Sequence, residues 1–471
     1  MAGMVLLERM RTRPNVCIIV IDSLRADALR QVAGSAKTPY IHQLMQDGVQ
    51  FPRAFSHSPR TLPAHASLFS ARLPHEIGIV QNGQTFFGDV ELLAGELQGS
   101  GYETYGFASL PALDTPSIGF AIERGFDHWS DSKSAFMRAS DVNLEISSQL
   151  AELASSEPFL LYAHYSDPHE PYNANGSLVH EAEVLWNGEL LQTASTSETT
   201  FIDRELRVPP GTHMFDMISQ FPFRMREFTS DAPDGVTVTP RPSDLDNKDG
   251  DISITISNNT DRVLSVSISA WLHDIPTVSE ARVRYRSEVE AVDAAIGLLI
   301  TDLKARGLYD NTLIIVTANH GEALGEHGTL GHGSTLYDEV LHVPLVMKLP
   351  KNSELKNILA HRTETLARQI DIAPTILDVL GLNPMRSATG QSLLQDNIRV
   401  LVAETQTGTP PQAMYCMRDE RYKLIYHANE KRFEMYDLAR DPSELDDVFR
   451  TQGHLCAGWQ QELKTLLRRA L

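Results

Sequence analysis

The chain has 471 residues, with 41 basic against 61 acidic side chains and a net charge of −20 at pH 7. Hydrophobic residues at 42% and charged ones at 22% are ordinary globular proportions, which excludes a disordered or fibrous chain. The acidic balance argues against a nucleic-acid partner, because phosphate backbones are gripped through Lys and Arg, and the length calls for two or three lobes.

At the start, the short apolar patch Met4–Leu7 precedes Arg9, Arg11 and Arg13, the reverse of a signal peptide's order. No apolar run approaches the ~20 residues of a membrane helix. Cys17, Cys416 and Cys456 are too widely spaced for a disulfide framework or a metal knuckle. The expectation is a cytoplasmic protein without a membrane span.

Asn15–Ile21 is a continuous run rich in β-branched residues, the pattern of a strand buried on both faces of a parallel sheet. It ends at Asp22. Helical patterns follow over residues 38–48, 92–97 and 139–155. A second buried strand, Pro158–His164, ends just before Asp167, Pro168 and His169. Between about 173 and 277 the rhythm changes to alternating segments such as Val236–Thr239 and Ile252–Ile256, which predict an inserted β-sandwich-like lobe. A helical pattern over 278–306 returns to a third buried strand, Thr312–Thr317, which ends at Ala318, Asn319 and His320. Met414–Leu438 reads as a few antiparallel strands, and a helix is expected from about Ala457 to Leu471.

Strands alternating with helices predict an α/β fold, a mainly parallel central sheet flanked by helices. The expected divisions are an α/β domain over 13–172 and 278–400, the β-rich insert over 173–277, and a C-terminal hairpin and helix subdomain over 401–471. In such sheets ligands bind where loops leave the carboxyl ends of the strands, and there the three polar clusters fall.

Asp22 projects from a rigid strand end, a natural place for a hard-metal ligand, and equally for a helix cap. Pro63 suits the first turn of a helix, so Thr61 belongs at or near its N-terminus, where backbone N–H groups and the helix dipole favour an alkoxide or a bound anion. His320, His327 and His332 lie in the glycine-rich stretch 319–333, which cannot form a packed core element and suits metal or anion binding.

Taken in order, Asp22–Asp27, Thr61–Leu68, Asp167–His169 and Asn319–Glu322 resemble the first metal loop, the nucleophile motif, a substrate-side loop and the second metal loop of the sulfatase and alkaline phosphatase superfamily, in its sulfatase-like branch. Gly331–Gly333, Leu336–Glu339, Asp371–Ile376, Arg421–Ile425 and Asp441–Glu444 are similar to later segments of those enzymes. The resemblance covers roughly residues 13–172 and 278–445 and implies an alkaline-phosphatase-like fold.

Several departures bear on the chemistry. Where family sulfatases carry Cys-x-Pro-x-Arg with the Cys matured to formylglycine, this chain has Thr61, Pro63 and His65, so formylglycine is not expected. The family's supporting Lys after a Gly-Tyr-x-Thr segment is missing, since Gly101–Thr104 continues to Ser109. Ser23 and Asn319 stand where relatives commonly carry Asp, which reduces the charge available to a dication.

The resemblance implies one divalent ion, Mn, Zn, Mg or Ca, held by Asp22, Thr61, Asn319 and His320. Thr61 is the implied nucleophile. His169 and His332 would stabilise the transferred group or protonate the leaving alkoxide, while Arg60, His65 and Asp167 would face the substrate and Arg25 would orient Asp22. His327 reads as structural. Threonine suits phosphoryl transfer better than sulfate-ester cleavage, because water attacks a phospho-enzyme as an ordinary second step. The expected substrate is a small-molecule or head-group phosphate mono- or diester. The alternatives are a sulfatase using unmodified Thr61 and a catalytically degraded binding protein. The insert is a candidate oligomer interface.

Overall fold

The computed structural model describes residues 13–469, apart from 33, 87, 111–121, 132–136, 154–157, 171, 173–180, 196–199, 220–222, 240–243, 248–250, 275–276, 398 and 408–410. The patch Met4–Leu7 and the far ends of the helices expected at 155 and 471 therefore lie outside the described residues. The chain forms two compact units, Met1–His169 with Val289–Leu471, and Glu170–Glu288.

The first unit is built on a seven-stranded sheet. Its strands are β1 (Asn15–Ile21), β2 (Val49–Gln50), β3 (Glu103–Ala108), β4 (His128–Asp131), β5 (Phe159–Tyr165), β6 (Thr312–Ala318) and a later antiparallel strand, Leu345–Lys348. The last of these lies between β2 and β6, and the order continues through β1, β5, β3 and β4. β1 pairs in parallel with β6 and β5, and β3 in parallel with β5 and β4. Every residue of β1, β5 and β6 is buried, which is why these strands read as unbroken apolar runs rather than alternating ones.

Helices of this unit include α1 (Pro39–Asp47), α2 (Thr61–Ser70) and α3 (Ala139–Leu153). All ten residues of α2 are buried. A further helix, α4, runs Val278–Ala305. A small hairpin of β7 (Ala323–Leu324) and β8 (Leu330–Gly331) follows β6. The C-terminal antiparallel sheet has four strands, the first lying ahead of the stretch the sequence marked: β9 (Leu401–Thr407), β10 (Gln412–Arg418), β11 (Tyr422–His427) and β12 (Arg432–Asp437), followed by α5 (Ala457–Arg469). Among the described residues no helix is long and apolar enough to cross a membrane.

In the second unit, strands between Glu181 and Asp274 form a five-stranded and a four-stranded antiparallel sheet. Phe215, Met217, Ile254 and Ile256 from the first share one core with Leu206, Val208, Val266 and Ile268 from the second. That shared core is the signature of a sandwich.

Candidate active site

Strand register gathers the polar loops. Ile21 pairs with both Ala318 and Tyr165, so Asp22, Asn319 and the 166–169 turn leave the sheet at one level. The Asp22 side chain is fully buried, with Oδ1 3.4 Å from His320 Nε2 and Oδ2 3.4 Å from His164 Nε2. Burial opposes the Asp22 charge, but its hydrogen bond with His164 is the leading cause that holds the carboxyl well below its ordinary range.

Thr61 opens α2, one residue inside the Arg60 cap. The helix starts cleanly because Pro63 has no N–H to satisfy, Leu62 N–H donates to Asn82 Oδ1 at 3.0 Å, and Ala64 N–H reaches Arg60 O at 3.1 Å. Thr61 Oγ1 lies 3.4 Å from His320 Nε2. His320 Nδ1 lies 2.9 Å from the Gly321 carbonyl, an acceptor only. Nδ1 is therefore the protonated nitrogen, and Nε2 presents its lone pair to the Thr61 hydroxyl. Burial, reinforced by His332, pushes the His320 pKa down to about 3, so the ring is neutral at physiological pH.

The second loop is fixed by close backbone approach. Gly321 N–H donates to Val340 O at 2.9 Å, and a Cβ at Gly321 would meet Glu339 O at 2.2 Å, which explains the glycine. Beyond it, Glu322 is buried and its Oε1 lies 3.1 Å from His332 Nδ1. His332 stacks on His320 at 4.2 Å between ring centroids and meets His169 edge-on at 4.8 Å. Gln369 holds the end of β6 in place, its Nε2 donating to the carbonyls of Ala318 and Asn319 at 2.7 Å each.

Thr61, Asp22, His320, His332 and His169 thus converge as the sequence suggests, and other residues fall elsewhere. Asp167 does not face the cluster. Its carboxylate accepts the Ala139 N–H at 3.0 Å and caps α3. Arg25 pairs with Asp27 at 2.8 Å and Glu326 at 3.1 Å and donates to Glu322 O, so it ties the first loop to the second. His65 lies one helical turn below Thr61, with Nδ1 on the Thr61 carbonyl at 2.7 Å and its ring edge-on to His164. It supports the helix, and burial pushes its pKa down to about 3. Arg60 lies beside Thr61 with Nε donating to Thr405 Oγ1 at 3.3 Å.

His164 carries no signal in the sequence. It closes the expected strand but faces Asp22 only because β5 pairs with β1, a tertiary fact. Its Nδ1 is 3.0 Å from Ser109 Oγ, the residue that follows the Gly101–Thr104 segment where the family's lysine is absent.

Asp167 yields a stability prediction. Burial, only partly countered by Arg138, raises its pKa to about 6. An acid whose folded value exceeds its unfolded one stabilises most below the unfolded value, near ~4, and that contribution is lost as pH rises through about 6. Asp167→Asn keeps an acceptor for the cap and should flatten this loss, roughly 2–3 kcal/mol in wild type. Urea melts across that pH range measure it, and parallel wild-type and variant curves would count against the assignment.

The expected metal set does not fit as placed. Asn319 Oδ1 accepts the Ser23 N–H at 3.2 Å and the His320 N–H at 2.7 Å, which occupies both lone pairs. Its Nδ2 is a donor and cannot ligate. Ser23 adopts a left-handed φ of 59°, a strained conformation for a non-glycine residue, and its N–H meets Asn319. Among the described residues no three His, Cys, Asp or Glu side chains are grouped to hold an ion.

The Sulfatase family model matches residues 14–382, and the model for the C-terminal region of N-sulphoglucosamine sulphohydrolase matches 325–470. An N-acetylglucosamine-6-O-sulfatase of Bacteroides thetaiotaomicron is 23% identical over 523 residues, covering 97% of this chain and 86% of that protein. The phosphonate monoester hydrolase of Agrobacterium radiobacter superposes with a TM-score of 0.63 at 20% identity, covering 98% of this chain and 96% of its own. A phosphonate monoester hydrolase from Silicibacter pomeroyi superposes with a TM-score of 0.62 at 21% identity, covering 97% and 94%.

Proposed function

The chain belongs to the sulfatase family, and on that premise we propose that it hydrolyses phosphate mono- or diesters through Thr61. The observation that carries this reading is the Thr61 hydroxyl at the start of a buried helix, 3.4 Å from the lone pair of a neutral His320. In the first step the Oγ–H proton passes to His320 Nε2 while Oγ attacks phosphorus. The adjacent Asp22 carboxylate stabilises the imidazolium so formed. His332, oriented by Glu322, and His169 stabilise the non-bridging oxygens and give the leaving alkoxide a proton. In the second step water attacks the phosphothreonine, its proton restores His332, and His320 returns its own to Thr61.

Superfamily members generally bind a divalent metal ion. Asp22 and His320 would start that site here, and neither step passes through it. A sulfate ester is the second reading, favoured by the relative and the C-terminal family model, both named for sulfatases.

Turnover of matched nitrophenyl phosphate monoester, phosphate diester and sulfate ester, with and without Mg²⁺, Ca²⁺, Mn²⁺ or Zn²⁺, tests the choice. Phosphoester turnover should exceed sulfate turnover. The reverse order overturns the phosphate reading, and silence from all three points to a binding protein.

A further inference from the structure

The tip of the β7–β8 hairpin carries a residue that the site does not use. Gly325 N–H bonds Thr329 O at 2.8 Å, and between them His327 adopts a left-handed φ of 51°, a cost that surrounding contacts must offset. Its ring lies flat on Tyr337, with centroids 3.7 Å apart and planes at 11°. Nδ1 is 2.7 Å from Glu339 Oε1 and Nε2 is 3.0 Å from the Glu444 carbonyl. A carboxylate and a carbonyl are both acceptors. A neutral imidazole has one N–H and can serve only one of them, so the imidazolium alone makes both bonds.

We infer that His327 is a positioning residue: as an imidazolium it staples the hairpin tip to Glu339 and to the Asp441–Glu444 turn, and losing its proton releases that tip. The hairpin base carries Glu322 and His332, whose side chains meet at 3.1 Å, so the staple sets where His332 lies against His320 and His169. The consequence for turnover rests on the proposed hydrolase function. The opening of the hairpin does not.

The surrounding charges are mostly committed to one another. On the hairpin, Glu326 pairs with Arg25. On the neighbouring segment, Asp338 is held by Lys423 at 2.8 Å and Arg418 at 3.1 Å, while Tyr337 donates to Glu434 and His342 Nε2 faces Pro52 O. The Glu444 carboxylate pairs with Lys423 and accepts the Asp338 N–H. Asp27 and Arg30 line, together with His327, a cavity of about 540 Å³. Burial works against the His327 charge, but the Glu444 carbonyl and the Glu339 carboxylate outweigh it, and the pKa is raised. With the folded value above the unfolded one, the staple is fully present below ~6.5 and is lost as pH rises through the folded value.

Hydrogen exchange of the intact protein tests this, following peptides over 320–334 between about pH 6 and 9 with rates corrected for intrinsic exchange. Wild-type protection should fall about tenfold through the transition, the size expected for one charge-assisted bond. His327→Gln should be weakly protected with no transition. Glu339→Gln should move the transition to lower pH, and it decides the matter should His327→Gln fail to fold. Equal, pH-independent protection in wild type and His327→Gln, or an unmoved transition in Glu339→Gln, overturns the staple. None of these readouts needs turnover, so failure of the hydrolase reading would leave them intact.

Discussion

Thr61→Ala is expected to lose at least about a thousandfold in turnover, because it removes the one atom that bonds to phosphorus. The change should leave the fold nearly untouched. Leu62 N–H keeps its bond to Asn82 and Ala64 N–H its bond to Arg60, so the start of α2 does not depend on the Thr61 hydroxyl. Loss of its long contact with His320 should cost about 1 kcal/mol or less. Thr61→Ser keeps the nucleophile and should retain most of the rate. Turnover and thermal melts on the three proteins decide the point, together with mass spectrometry of acid-quenched wild type for a phosphoryl group on Thr61. Unchanged turnover in Thr61→Ala would remove Thr61 from the chemistry and place the nucleophile elsewhere in an active site.

The parts legible in sequence were those governed by local physics. β1, β5 and β6 are buried on both faces, so composition alone marked them, and the polar residues closing them marked the sheet edge where the cluster forms. Pro63 fixed where α2 begins to within a residue. Side-chain direction was not legible. Asp167 reads as a site residue from its place beside His169, yet it turns back to cap α3, taking the Ala139 N–H that has no acceptor within its own helix. His164 had no motif to mark it. Its role depends on β5 lying beside β1, as Asn319's depends on the left-handed turn at Ser23. The β9 strand was missed because Leu401–Thr407 mixes apolar with polar positions and finds its partner only once β10 is laid beside it.

Asn319→Asp is expected to create divalent-ion affinity that wild type lacks or holds only weakly, by roughly tenfold or more. The argument is geometric. One carboxylate oxygen can keep both backbone N–H donors, from Ser23 and His320, and such bonds strengthen when the acceptor is charged. The other oxygen replaces Nδ2, a buried donor with no hydrogen-bond partner among the described residues, and brings a second negative charge to the loop beside Asp22. Without an ion that charge is buried near a like charge, so the variant should melt below wild type. With Mn²⁺ or Ca²⁺ the order should reverse, since an ion that binds only the folded state stabilises by about 2.7 kcal/mol at one hundred times its Kd. Calorimetric titration and melts with and without ions read both effects. Identical ion affinity in the two proteins, with a melting point indifferent to ions in the variant, would show that position 319 does not face a cation site. Gain of affinity without gain of turnover would show that an ion held at position 319 does not speed the reaction.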